Sequence, residues 1–128
     1  MKNLELITVD DSQVIADHVS FLLKKLPWIK WLGHAYNLEE ARKLLEEKKP
    51  SAIILDIQLK QESGLDFLKE IKDKLKDVDV IMLSNHESEP YRAKSRELGS
   101  KFFIDKSSEF ETIPSVLRII YNQQKMRK

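Results

Sequence analysis

The chain has 128 residues, of which 41% are hydrophobic and 34% are charged, and its net charge at pH 7 is +1. This composition predicts one globular domain with a buried core and excludes disordered, collagen-like and membrane-spanning chains. The near-neutral charge gives no reason to expect nucleic acid or an anionic membrane as a partner, and the absence of cysteine excludes a disulfide framework or a thiolate metal site.

The first predicted strand, Leu4–Val9, is short and rich in β-branched residues. Ser12 then begins a helical pattern that Pro27 closes. Its apolar residues fall on one face, at Ile15, Val19, Leu22 and Leu26. Residues 31–36 form a weaker second strand, because a glycine and a histidine interrupt the apolar pattern.

Asn37 and Glu40 have the spacing of a capping box at the start of the second helix. This helix turns Leu38, Ala41, Leu44 and Leu45 inward and ends in two lysines before Pro50. The third predicted strand, residues 53–57, is apolar except for Asp56 and is expected to be buried on both faces. After a polar loop, the third helix is marked by Leu65, Leu68, Ile71 and Leu75.

The fourth and fifth strands are predicted over residues 78–83 and 101–104. Ser88 and Pro90 indicate the start of the helix between them, and Gly99 its end. This helix has few apolar residues (Tyr91, Ala93 and Leu98), which predicts thin anchoring and a place for motion or partner contact.

The last helix is predicted to begin with a second capping box, formed by Ser108 and Glu111. It turns Ile113, Val116, Leu117 and Ile120 to the core. Residues 123–128 are polar and basic, and are expected to fray.

Five strands thus alternate with five helices through short connections. Strict alternation predicts a doubly wound parallel sheet with helices on both faces, built as one α/β domain over residues 1–128. No signal peptide and no apolar run of membrane-spanning length is visible, so we expect a cytoplasmic protein.

Polar residues follow four of the five strands: Asp10 and Asp11, then Asp56, Ser84 and Lys106. Parallel strands end at one edge of a sheet, so these side chains should converge. Each could by itself be a helix cap or a solvated loop residue, but their coincidence favours a shared site. Clustered carboxylates either raise a pKa or bind a cation. Oxygen ligands alone favour Mg²⁺ or Mn²⁺ over Zn²⁺.

Such a pocket suits phosphoryl transfer. Between a cation and the Lys106 ammonium, Asp56 can attack phosphorus as a carboxylate nucleophile, with Ser84 donating a hydrogen bond to a phosphoryl oxygen. The catalysis required is mainly positioning and charge neutralisation.

The chain resembles a receiver domain of the two-component response regulators, from Leu4 to about Gln123. The matching segments are Val9-Asp10-Asp11-Ser12, Ile54-Leu55-Asp56, Met82-Leu83-Ser84 and Phe103-Ile104-Asp105-Lys106, with Gly64 eight residues after Asp56. The resemblance implies a flavodoxin-like fold with strand order 2-1-3-4-5.

The resemblance also implies roles for these residues. Asp56 would accept a phosphoryl group from a histidine kinase or a histidine phosphotransfer protein. Mg²⁺ would be held by Asp11, Asp56 and the backbone carbonyl of Gln58, with Asp10 acting largely through water. Ser84 and Lys106 would contact the phosphoryl group. Ser84 and Phe103 would move together and repack the face made by helix 4, strand 5 and helix 5.

That face would change partner binding, and it could also serve a homodimer. The partner would be a downstream protein or an effector domain beyond this sequence, with no direct nucleic acid binding by this domain. Of these two arrangements, we favour the interpretation that the protein is a stand-alone receiver.

The chain departs from the family pattern at several positions. Asn85 stands where a small residue is usual, which would narrow access to the site. Ser107 replaces a common proline, and a cis Lys-Ser bond would cost about 2.5–4 kcal/mol, so a trans or differently shaped loop is expected. Phe103 replaces a frequent tyrosine. Gln58 and His86, beside the site, are expected to tune the lifetime of the phosphoryl group.

Two other functions remain open. A Mg²⁺-dependent phosphatase with an aspartyl intermediate would need a second acid two residues after the nucleophile, where Gln58 stands, and an inserted cap. The other open function is that of a receiver that is no longer phosphorylated and only binds partners. We expect no enzymatic activity beyond the chain's own phosphorylation and dephosphorylation.

Overall fold

A computed structural model describes residues 2–85 and 89–127 of the chain. Its main sheet has five parallel strands: β1 (Leu4–Val9), β2 (Ile29–Ala35), β3 (Ala52–Asp56), β4 (Asp79–Ser84) and β5 (Phe102–Asp105). Their order is β2-β1-β3-β4-β5. The strand order and the fold class predicted from the sequence are therefore confirmed.

Five helices cover the two faces of this sheet: α1 (Gln13–Leu23), α2 (Leu38–Lys48), α3 (Gly64–Lys74), α4 (Glu89–Glu97) and α5 (Ile113–Met126). Alternating strand residues such as Ile53 and Leu55 pack with α2, α3 and part of α4. Their neighbours, such as Ile54, pack with α1 and α5. Every residue of β3 is buried, as expected for the central strand of a doubly wound sheet.

Two of the predicted helix starts are confirmed in atomic detail. The Ser12 hydroxyl accepts a hydrogen bond from the Ile15 amide, and the Asn37 side chain accepts one from the Glu40 amide. The Glu40 carboxylate reaches back one residue further than in a standard capping box, to the N–H of Tyr36.

Gly99 ends α4 as predicted, with φ at 110°. The N–H of Gly99 donates to the Arg96 carbonyl and the N–H of Ser100 to the Ser95 carbonyl. These two bonds form a Schellman motif, which needs a left-handed residue at this position.

The predicted strand bounds are shifted, by one residue at β3, β4 and β5 and by up to two at β2. Prediction followed the apolar residues, whereas the strands end where their pairing ends. Asp56 pairs with Leu83, and Ser84 pairs with Asp105. Asp56 and Ser84 are therefore the last residues of their strands and share the rigidity of the sheet.

The predicted capping box of Ser108 and Glu111 is wrong. The Asp105 carboxylate instead accepts hydrogen bonds from the Ser107 and Ser108 amides and from the Ser107 hydroxyl. A 3₁₀ turn, Phe110–Thr112, then leads into α5. Glu111 faces α1, where its carboxylate lies 3.1 Å from the ring of His18.

Two helix ends differ from the sequence pattern. Leu75, the last of the four residues that mark the third predicted helix, is the C-cap residue of α3 and is 37% exposed. The chain does not fray from residue 123, because the Gln124 amide and the Arg127 guanidinium each donate to the Asp79 carboxylate at 2.7 Å. These bonds tie the end of α5 to the amino end of β4.

The weak apolar pattern of α4 reflects its packing. Ala93, counted among its apolar residues, is exposed, while Ser95 is buried. The Ser95 hydroxyl has no hydrogen-bond partner within the described part of the chain. The other inward residues of this segment, Tyr91 and Leu98, pack on the core and are only partly buried. Within the described residues, no helix is long and apolar enough to cross a membrane.

Candidate functional site

The carboxyl edge of the sheet gathers the predicted acids. One carboxylate oxygen from each of Asp10, Asp11 and Asp56 lies within 4.8 Å of the others. Asp10 and Asp56 are only 1% and 3% exposed, and Asp11 is half-buried. Such proximity is unfavourable for three like charges unless something compensates them.

Backbone amides orient each of these carboxylates. Asp10 accepts from the N–H of Ser12 at 2.9 Å, and Asp56 accepts from the N–H of Gln58 at 3.1 Å. Asp11 accepts from the N–H of Lys60 at 2.9 Å. The last contact crosses between two loops, so the loop after β3 helps to aim the acid after β1.

Lys106 supplies the compensating charge. Its Nζ lies 2.5 Å from the Asp10 carboxylate and 3.0 Å from the Asp56 carboxylate, with the side chain 7% exposed. Burial lowers the pKa of Lys106, but the hydrogen bonds and charges of Asp10 and Asp56 outweigh it and hold that pKa above the usual value. The lysine is therefore fully charged at neutral pH.

The loop after β5 fixes where Lys106 points. The N–H of Lys106 donates to the Ser84 carbonyl at 2.8 Å, and the Asp105 carboxylate caps the next turn. Hydrogen bonds from Ser107 lower the pKa of Asp105, which keeps that cap ionised. The described residues contain no cis peptide bond, so the bond between Lys106 and Ser107 is trans, as the missing proline suggested.

The surroundings of Asp56 disfavour the ionised form of its carboxyl group. Burial raises its pKa from 3.8 to about 6; Lys106 opposes this shift and Asp10 adds to it. The three carboxylates and Lys106 leave a formal excess of two negative charges in a cluster whose side chains are buried or half-buried. Hard oxygen donors with that excess fit a divalent cation such as Mg²⁺.

A glycine holds the next loop against the end of β3. Residues Gln58–Leu59 and Glu62–Ser63 form a short antiparallel hairpin that returns the chain to α3. The N–H of Gly64 then donates to the Ile57 carbonyl at 2.7 Å. A Cβ on Gly64 would lie 2.0 Å from the Asp56 carbonyl oxygen, so no other residue fits without moving the strand that carries Asp56.

Three of the remaining predicted residues lie on or directly after the neighbouring strands β4 and β5. Ser84 is buried at the end of the adjacent strand β4, and Asn85 after it is exposed. Phe103 is half-buried on the α4 side of β5, with the Arg92 guanidinium 4.6 Å from its ring centre. His86 and the predicted helix start at Ser88 lie outside the described residues.

Sequence reasoning missed two groups that touch the acids. One is the Lys60 amide, which no side-chain pattern reveals. The other is His34, whose ring nitrogen lies 2.9 Å from the Asp10 carbonyl. The available signal was its register: Thr8 and His34 are opposite one another on paired strands.

The charge balance predicts an effect of Asp56 on stability. An Asp56→Asn variant should have a higher free energy of unfolding than wild type at neutral pH without metal, by on the order of 2 kcal/mol. A raised folded-state pKa contributes stability that is complete below the unfolded pKa and is lost as pH rises through the folded pKa of about 6. The difference should therefore be absent below about pH 4, develop as the pH rises towards the folded pKa of about 6, and be fully present above it.

Denaturant unfolding at both pH values measures this difference. Asp17→Asn, at an exposed carboxylate on α1, is the matched control and should show little change. An Asp56→Asn variant no more stable than wild type at neutral pH would show that the carboxylate is not under this strain.

The fold and the site together define a class: doubly wound α/β domains with an acid cluster and a lysine at the carboxyl ends of their strands. The family model described as the response regulator receiver domain matches residues 6–118. The chain belongs to this family, whose members are phosphorylation-activated switches of two-component systems. The resemblance drawn from the motifs is confirmed.

Curated relatives agree with this assignment. The chain is 36% identical over 111 residues to a protein-glutamate methylesterase/protein-glutamine glutaminase of Desulfotalea psychrophila, covering 85% of this chain and 30% of that protein. It is 28% identical over 109 residues to the transcriptional regulatory protein YdfI of Bacillus subtilis, covering 85% of this chain and 51% of that protein. The chain thus spans at most about half the length of these two relatives.

Solved structures show the same fold. The response regulator domain of Thermotoga maritima CheB superposes with a TM-score of 0.80 at 26% identity, over 94% of this chain and 95% of that one. The isolated REC domain of RcsB from Salmonella enterica gives a TM-score of 0.87 at 17% identity, over 94% and 89% of the two chains. The second likeness bears on the fold alone.

Proposed function

We propose that residues 1–128 form one receiver domain that accepts a phosphoryl group on Asp56 and thereby changes its partner binding. The observation that carries this proposal is the Lys106 ammonium in contact with both Asp10 and Asp56, inside a cluster of three carboxylates. A carboxylate beside a fixed cation is the arrangement that in-line attack on phosphorus requires.

The donor is a histidine kinase or a histidine phosphotransfer protein. One Asp56 oxygen forms a bond to phosphorus while the bond from phosphorus to the donor imidazole breaks, and the imidazole nitrogen keeps the electron pair. Lys106 neutralises charge on the phosphoryl oxygens, and the Ser84 hydroxyl donates to one of them. The strand ends that hold Asp56 and Ser84 fix these groups relative to one another.

The acid cluster is the proposed metal site. Asp11, Asp56 and the Gln58 carbonyl would hold Mg²⁺, with Asp10 acting through water, and the ion would supply further neutralisation of phosphoryl charge. The amide contacts of the three carboxylates support this assignment, because they leave the acids aimed at a common point.

The output face consists of α4, β5 and α5. Arg92 links α4 to β5 and to the loop that follows β5, since its guanidinium lies over the Phe103 ring and 3.9 Å from the Glu109 carboxylate. Movement of Phe103 with Ser84 would disturb that contact and shift α4, which is thinly anchored. The partner is a downstream protein, an effector domain joined to this one, or a second copy through the same face.

Three residues are proposed to set the lifetime of the phosphoryl group: Gln58, Asn85 and, from its place in the sequence alone, His86. Gln58 is exposed, and its amide lies 3.5 Å from the Tyr91 hydroxyl on α4. It therefore spans the opening between the β3 loop and the output face. An amide cannot act as the second acid of an aspartyl phosphatase, which favours a switch over a turnover enzyme.

Incubation with Mg²⁺ and a small acyl phosphate tests the proposal. The intact mass should show one phosphoryl group per wild-type chain and none on Asp56→Asn, with little release of free phosphate. Continuous phosphate release in excess of the protein would instead establish the phosphatase. A folded wild-type chain that takes no label would be the unphosphorylated interaction module, and the switch would be excluded.

A further inference from the structure

A chain of hydrogen bonds runs from the edge of the sheet to the acid cluster. Trp31 Nε1–H donates to the Thr8 hydroxyl oxygen at 3.1 Å, and that hydroxyl lies 2.6 Å from Nδ1 of His34. The other ring nitrogen of His34, Nε2, lies 2.9 Å from the backbone carbonyl of Asp10. Thr8 is 2% exposed, and His34 and Trp31 are half-buried.

The chemistry of the partners assigns the hydrogens. An indole N–H can only donate and a carbonyl can only accept, so Nε2–H of His34 donates to Asp10. In the neutral ring Nδ1 is then an acceptor, and the Thr8 hydroxyl donates to it. Every donor in this series of hydrogen bonds then has an acceptor. The Thr8 hydroxyl selects the ring orientation of His34 that directs Nε2 at the Asp10 carbonyl.

The Asp10 carbonyl has no backbone donor on β2. The N–H of Asp10 pairs with the Ala35 carbonyl, where β2 ends. In a parallel ladder the next rung would be donated to this carbonyl by the N–H of Asn37, and that bond is not made. The imidazole of His34 therefore takes the place of the missing rung, at the point where β1 becomes the acidic turn.

We infer that His34 is a positioning residue for the metal-binding acids, because its ring fixes the peptide plane between Asp10 and Asp11. That plane contains the Asp10 carbonyl and the Asp11 nitrogen, so holding the oxygen restricts the direction in which both side chains leave the backbone. The inference rests on the proposed function, because the proposed function is what makes the acid cluster a cation site.

The effect to look for is on metal affinity. Groups that orient metal ligands without touching the metal change affinity by about 10- to 100-fold when removed. A purely structural role for His34 would lower the free energy of unfolding but leave the affinity of the folded protein for Mg²⁺ unchanged. The two roles are therefore separable.

The matched variants are His34→Gln and His34→Asn. They carry the same amide on side chains that differ by one methylene. The glutamine nitrogen can occupy the place of Nε2 and donate to Asp10, whereas the asparagine nitrogen lies near the place of Nδ1 and falls short. Thr8→Val is the third variant, since it removes the hydroxyl that orients the ring and keeps the shape of the side chain.

Mg²⁺ is titrated into each protein while backbone amide signals are followed by NMR, and denaturant unfolding is measured in parallel. We expect wild type and His34→Gln to agree within about threefold in dissociation constant, and His34→Asn to bind about tenfold more weakly. The dissociation constant of Thr8→Val for Mg²⁺ should lie between those of wild type and His34→Asn. The unfolding data show whether each variant is folded during the titration.

The outcomes separate the inference from the proposed function. If wild type binds Mg²⁺ and the His34→Asn and His34→Gln variants bind it with equal affinity, the role of His34 would be overturned, while the cation site would stand. A folded wild type that shows no Mg²⁺-dependent shifts at residues 10, 11 and 56 would overturn both.

Discussion

Replacing Lys106 by methionine is expected to lower the free energy of unfolding by about 3–5 kcal/mol at neutral pH without divalent cations. Methionine has a similar length and no charge, so the change leaves Asp10 and Asp56 buried with no cation against them. Removing one member of a buried ion pair is costly because the charge left behind is neither solvated nor paired.

Mg²⁺ should relieve part of this loss. A cation in the acid cluster would compensate the carboxylates that Lys106 had paired, so Mg²⁺ should raise the midpoint of unfolding more for the variant than for wild type. The rate of labelling by an acyl phosphate should still fall by about 10²- to 10³-fold, because the stabilisation of the phosphoryl oxygens is gone.

Lys101→Met is the matched control, since this lysine is exposed and lies directly before β5. Urea unfolding with and without Mg²⁺, and the initial rate of labelling, should be close to wild type for that variant. A Lys106→Met protein as stable as wild type in the absence of metal would show that Lys106 does not neutralise the cluster.

Replacing Gly64 by alanine is the second large change. We expect a loss of about 3 kcal/mol or more in the free energy of unfolding, together with loss of labelling. The new Cβ would lie 2.0 Å from the Asp56 carbonyl oxygen and 2.9 Å from the Ile57 Cα, and both are backbone atoms that cannot turn away. Relief requires moving the end of β3, and Asp56 with it.

Gly33→Ala provides the comparison for this prediction. There the nearest atom to a new Cβ is a methyl group of Leu44 at 3.1 Å, the mobile end of a side chain. Its cost in unfolding free energy should be below about 1.5 kcal/mol, with labelling retained. Similar stability losses at the two glycines would mean that the backbone at Asp56 yields easily, and that the tight loop does not fix the site.

The strand order came from the resemblance to receiver domains, whereas the alternation of apolar runs and amphipathic helices was enough to predict a doubly wound parallel sheet and the edge on which Asp10, Asp56 and Lys106 meet. Those features depend on burial, which a sequence displays directly. The helix starts at Ser12 and Asn37 were equally accessible, because a cap is satisfied within a few residues.

The errors concern polar groups whose partners are distant in sequence. Gln124 and Arg127 looked like a loose tail because their acceptor, Asp79, is more than 40 residues away. His34 looked like an interruption in a weak strand, and its contact with Asp10 depends on where β2 ends. The Asp105 carboxylate, which caps the turn after β5, was identified only as part of a family motif.

Peptide mapping of the phosphorylated residue tests the central claim most directly. The chain is treated with Mg²⁺ and an acyl phosphate, and borohydride reduction then converts any aspartyl phosphate to homoserine before digestion and mass spectrometry. The account predicts one converted residue, Asp56, and no conversion in Asp56→Asn. Conversion at Asp10 or Asp11 instead, or at no aspartate in a folded wild-type chain, would contradict it.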